Sequence, residues 1–93
     1  MVKHIVLSKL IDQQDRQRAV DALLDMRGKI EGLLDVEAGY DFLASGRSYD
    51  VAVICTLKDR AALDFFRDHP IHLPVVKLMN DIRESSVTVD YEY

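Results

Sequence analysis

The stretch VKHIVLSKLI, residues 2–11, decides how the rest of the chain is read. It is apolar on both parities: His4, Val6 and Ser8 fall on one side of an extended chain, Ile5, Leu7 and Ile11 on the other. Its β-branched residues and lack of helical spacing predict a strand buried on two faces. Immediately after it, Asp12 reads as a helix N-cap, and Asp15 adds negative charge to the first turn. A helix is expected to follow, with Ala19, Leu23, Met26 and Ile30 spaced 4, 3 and 4 apart, Val20 and Leu24 widening the stripe, and Gly32 ending it.

Further along, LLDVEAGYDFL alternates, with Leu34, Val36, Ala38 and Tyr40 on one parity, and predicts a second strand. ASGRS is a turn. YDVAVICTL predicts a third strand, again two-sided, with Tyr49, Val51, Val53, Cys55 and Leu57 on one face and Ala52, Ile54 and Thr56 on the other; the two strands are close enough to form a hairpin. Asp59 reads as another N-cap, before a short helix RAALDFFRD. Pro70 breaks that pattern, and helical spacing resumes in LPVVKLMNDI, with Pro74 tolerable in a first turn. The closing SVTVDYEY alternates as a last strand. The order β-α-β-β-α-β is the ferredoxin-like plan of the α+β class, one four-stranded antiparallel sheet with both helices on one side. No linker or repeat divides residues 1–93, and the length matches one domain.

The net charge is −4, with no run of Lys or Arg. Nucleic acid and anionic membrane surfaces call for a basic face, so neither is expected as a partner. No stretch approaches 18 apolar residues, and the apolar run at the N-terminus is too short and interrupted for a signal sequence. Cys55 is the single cysteine, so no internal disulfide can form. A cytoplasmic protein is the expectation.

A chain of 93 residues buries only about 60–65% of the surface its unfolded form exposes, yet 48% of these residues are apolar. Helices can cover only one face of the sheet, while the first and third strands are apolar on both. Leaving Ile5, Leu7, Ile11, Ala52 and Ile54 wet forfeits roughly 1.5–3 kcal/mol for each large side chain. Pairing of two sheets by a two-fold axis would bury them, so a homodimer through the sheet faces is expected.

Four segments in this order, VKHIVLSKL, YDVAVICTLKDRAAL, HPIHLPVV and SVTVDYEY, resemble the stress-responsive A/B-barrel (Dabb) domain family, within the dimeric α+β barrel group. The likeness runs over essentially the whole chain. It implies a barrel-like dimer and a small pocket between sheet and helices in each subunit, with no cofactor. Many members have no assigned activity. A plant member closes a polyketide ring without a cofactor, using the second histidine of an H-P-x-H motif as base, with a further histidine in the first strand. Carried over, the base falls on His72 and the first-strand histidine on His4. Where that enzyme has a tyrosine, three residues before the first histidine of the motif, this chain has Phe66, which has no hydroxyl. The resemblance also turns the face carrying His4, Val6 and Ser8 toward the pocket.

His72, in a proline-bounded turn, is the candidate general base, a role worth roughly 10²–10⁴-fold; the competing role is local capping at a helix start. His4 in an apolar pocket would lean neutral, as a base or acceptor, or else serve a structural hydrogen bond. His69 precedes Pro70 and reads as structural. Two histidines three apart can share a metal, but a zinc site wants three or four matched ligands and HPIH offers two histidines with no cysteine nearby, so no metal is expected. Val6, Ser8 and Phe66 are expected to line the pocket; Ser8 lacks the G-x-S-x-G context of a nucleophile. Cys55 reads as a buried, unreactive thiol. Two functional readings remain open: a binding protein for a small apolar or aromatic molecule, and a cofactor-independent enzyme, cyclase-like or monooxygenase-like, with His72 as base.

Overall fold

The computed structural model describes residues 1–93. Four strands, β1 (Val2–Leu10), β2 (Leu33–Tyr40), β3 (Val51–Leu57) and β4 (Arg83–Glu92), alternate with α1 (Arg16–Leu24), α2 (Arg60–Arg67) and α3 (His72–Ile82). The sheet order is β2-β3-β1-β4, all antiparallel. This is the ferredoxin-like arrangement expected from the element order, with the second helical region split at Pro70 into α2 and α3.

The core forms where the helices meet β1, β2 and β3. Val51, Val53, Cys55 and Leu57 of β3 are all buried, together with Val36 from β2, Ala19 and Leu23 from α1, Phe66 from α2 and Met79 from α3. Cap chemistry starts the second helix as the sequence predicts: the Asp59 side chain accepts a hydrogen bond from the Ala62 backbone N–H at 2.8 Å. Pro74 occupies the first turn of α3, where its missing N–H costs nothing.

Several expectations are corrected. Asp12 caps a single 3₁₀ turn (Gln13–Asp15) rather than α1 itself. The first helix ends at Leu24, well before Gly32. Beyond it the backbone tightens into i→i+3 hydrogen bonds, Arg27 to Leu24 and Lys29 to Met26, and Gly28 takes φ +72°. Met26 and Ile30 are still buried, because these turns continue along the same apolar stripe. Leu34 is exposed rather than aligned with Val36: the β2–β3 register shifts between Leu33 and Asp35, so Leu33 takes the core position. Ile11 lies past the end of β1, beyond a register shift at Lys9/Leu10, and points to solvent. β2 stops at Tyr40, leaving Phe42 and Leu43 exposed on a loop, and Tyr49 precedes β3 instead of opening it. β4 begins three residues earlier than the alternation of SVTVDYEY indicates; α3 passes into it without a loop.

The antiparallel register shows which residues share each face. His4 pairs with Cys55 and Asp90, Val6 with Val53 and Thr88, and Ser8 with Val51 and Ser86; these are the helix side. Ile5 pairs with Ile54 and Val89, and Leu7 with Ala52 and Val87, on the side that no helix covers. Val87, Val89 and Tyr91 are 47%, 61% and 46% exposed in the single subunit, which makes the open side a continuous apolar surface rather than a solvated one.

Candidate functional site

Between the helix side of the sheet and the helices lies a cavity of about 220 Å³. His4, Val6, Ser8, Phe66 and His72, the residues named from sequence, all line it. Met79 and Val53 form much of its apolar wall. This volume exceeds the roughly 150 Å³ that holds a benzene ring and falls short of the roughly 300 Å³ where drug-sized sites begin. It suits a molecule of about one ring.

One end of the cavity is a cluster of aromatic and imidazole rings. Phe66 is fully buried; it stacks on His72 with ring centroids 4.0 Å apart and meets His4 edge-on at 5.9 Å. Phe66 is thus a spacer that fixes both histidines. His72, first residue of α3, is held by its own Nδ1, which donates to the Arg67 carbonyl at 3.1 Å. A carbonyl can only accept, so Nδ1 carries the proton and the lone pair sits on Nε2. Nε2 makes no hydrogen bond within the chain and is not sealed from the cavity or solvent. Burial pushes the His72 pKa below its usual value of 6.5, aided by nearby His4 and opposed by the Arg67 carbonyl. At neutral pH the ring is therefore an uncharged acceptor.

His4 is oriented by a carboxylate. Its Nδ1 hydrogen bonds to Asp90 Oδ1, from the directly opposite residue on β4. A carboxylate partner fixes the histidine tautomer and ring plane and leaves Nε2 as the free nitrogen. Asp90 is not legible as a site residue in the sequence, where it is one acidic position in the alternating SVTVDYEY; only the β1–β4 register brings it to His4. Arg83 is a second residue the sequence reading missed. As C-cap of α3 and first residue of β4, it lines the cavity away from the histidines.

The other candidates settle into supporting roles. His69 Nδ1 accepts from the Ile71 N–H at 3.0 Å, and its carbonyl accepts from His72 and Leu73, so it organises the start of α3. Cys55 is buried on the cavity floor, and burial, reinforced by Asp35 and Asp90, pushes its thiol up to about 12; it is an uncharged wall atom, not a nucleophile. No three His, Cys, Asp or Glu side chains converge in a metal-binding arrangement. No helix is long and apolar enough to cross a membrane.

The fold and cavity can be set beside known proteins. An uncharacterized protein of Streptomyces coelicolor is 31% identical over an alignment 98 positions long that spans all of both chains. A dimeric protein of unknown function and ferredoxin-like fold from Bacteroides fragilis is 25% identical, with a TM-score of 0.82 over 99% of this chain and 95% of that one. Hydroxynitrile lyase from Passiflora edulis superposes with a TM-score of 0.81 over 97% of this chain and 90% of its own, at 18% identity, a likeness of fold alone. The family model of the stress responsive A/B barrel domain, Dabb, matches residues 2–93. With the whole chain matched, this protein belongs to the stress responsive A/B barrel domain family.

Proposed function

We propose that the protein is a cytoplasmic homodimer in which each subunit binds one small apolar or aromatic molecule between sheet and helices, using His72 Nε2 as hydrogen-bond acceptor. The observation that carries this reading is the combination, in one cavity, of an apolar wall and an imidazole whose Nδ1 is already committed to Arg67. Such a ring has its tautomer fixed before a ligand arrives, and a ligand O–H or acidic C–H is the partner its chemistry wants. His4, steadied by Asp90, stands across Phe66 as a second polar contact.

The dimer reading rests on the open face of Ile5, Leu7, Ile54, Val87 and Val89, and on the description of the Bacteroides protein as dimeric. Two such sheets facing one another bury these side chains without disturbing either cavity, which lies on the opposite side.

A second reading is catalysis without a cofactor, with His72 abstracting a proton. Its neutral ring favours this; Phe66, where a hydroxyl would assist, does not. Native mass spectrometry of gently purified protein tests the binding reading. A small molecule of constant mass retained by wild type and lost from a folded His72→Ala variant is the expected result. Retention of the same molecule by the variant at undiminished occupancy would remove His72 from the site.

A further inference from the structure

Along β1 the helix side presents a graded floor. His4 and Asp90 stand at one end, Ser8 and Ser86 are paired two pleats further on, and Leu10 pairs with Arg83 beyond them. From His4 to Ser8 the strand advances about 13 Å at roughly 3.3 Å per residue. The cavity runs between these ends.

Arg83 is the unpaired cation of this cavity. No carboxylate lies within ion-pair distance of it; its guanidinium donates only to the neutral Asn80 amide oxygen, which leaves other N–H donors free. It is partly buried, so the charge is not simply dissolved in solvent. Nearby, Ser8 is 2% exposed, lines the cavity, and has a hydroxyl without a hydrogen-bond partner in the chain that is nonetheless not sealed off. A hydroxyl open to the cavity with no partner in the chain can donate to a ligand oxygen there. A guanidinium with free forked donors and a spare hydroxyl together describe a receptor for a carboxylate. The Asp90 charge repels an anion from the opposite end, which gives such a ligand one orientation.

We propose that the cavity takes a small one-ring carboxylate, its carboxylate on Arg83 and the Ser8 hydroxyl and its far end presented to His72. The inference deepens the binding function proposed above and rests on it. The volume limits the ligand to about one ring, since roughly 150 Å³ already holds benzene. The apolar middle of the site accepts the ring, and the neutral His72 accepts a proton-bearing group at its far end. The other role open to Arg83 is to complement the C-terminal dipole of α3; that role predicts an effect on stability and none on ligand choice.

Calorimetric titration with three probes separates these roles: 4-hydroxybenzoate, its neutral isostere 4-hydroxybenzamide, and phenol. Wild type is expected to bind the acid more tightly than the amide. Arg83→Gln, checked for folding by circular dichroism, is expected to weaken the acid about tenfold or more, in line with loss of a charge-assisted pair, and to leave the amide and phenol unchanged. Arg83→Lys keeps the charge without the fork and should fall between. Equal affinity for acid and amide in wild type, or an unchanged acid affinity in Arg83→Gln, overturns the carboxylate assignment. If phenol still binds in that case, only this inference fails; if none of the three probes binds wild type, the binding function itself fails with it.

Discussion

Phe66 lies against His72 almost face to face, ring centroids 4.0 Å apart and planes 27° from parallel, with His4 at its edge. One buried ring from α2 therefore sets the position of a histidine on α3 and of another on β1. Replacing it opens a hole in the core and releases both histidines together. Phe66→Ala is expected to cost about 3–5 kcal/mol in urea unfolding and to weaken ligand binding in whatever fraction remains folded. A cost under about 1 kcal/mol would mean the ring is not packed as described.

His72 also makes stability depend on pH. Its folded pKa is lowered from 6.5, so the unfolded chain binds the proton more readily. The neutral ring's contribution is complete above pH 6.5 and is lost as pH falls from 6.5 through the folded value. The urea midpoint should therefore decline on going from pH 7.5 to pH 5, and His72→Gln should decline less over that interval. Identical slopes for the two proteins would contradict the burial of this ring. Ligand affinity should fall over the same interval, since a protonated ring has no acceptor.

Gly32 and Gly28 both take positive φ, +84° and +72°, but only Gly32 is crowded: a Cβ there would lie 2.7 Å from the Ala62 Cβ. Gly28 has open space around it. Alanine at either site pays the left-handed backbone cost of roughly 1–2 kcal/mol. Gly32→Ala should be distinctly worse than Gly28→Ala, because it also pushes α2 off the start of β2. Equal losses by thermal melting would show that the approach of α2 to Gly32 is not tight.

The open sheet face should hold two subunits together. Light scattering at tens of micromolar is expected to give twice the subunit mass for wild type and one subunit mass for Ile5→Glu, which puts a charge where Ile54 and Val89 flank it. A wild-type monomer would leave this apolar face without a role.

How much of this could be read from the chain depends on the range of the interaction. Two-sided alternation in residues 2–11 and 49–57 points to strands wanting cover on both faces, and Asp59 marks the start of α2 by a cap three residues long. Such signals are local. Leu34 and Ile11 depart from the alternation because a single-residue register shift reverses facing, and nothing in the local pattern announces it. Asp90 and Arg83 escaped for the same reason on a larger scale: 86 residues separate Asp90 from His4, and only strand pairing joins them. His4, Val6, Ser8, Phe66 and His72 come within reach through the resemblance to the Dabb family, which turns one parity of the first strand and the HPIH segment toward a pocket; parity alone groups His4, Val6 and Ser8 without saying which side the helices cover.

Entry of a small molecule into the cavity beside His72 underlies the proposed function. Titration of ¹⁵N-labelled protein with phenol at pH 7.5, followed by amide and imidazole shifts, tests it most directly. Saturable shifts are expected at Val6, Val53, Phe66 and Met79, with the His72 Nε2 resonance moving as it accepts a hydrogen bond from the phenol O–H. Shifts confined to the open sheet face around Ile5 and Val89, or no shifts at millimolar phenol, would contradict it.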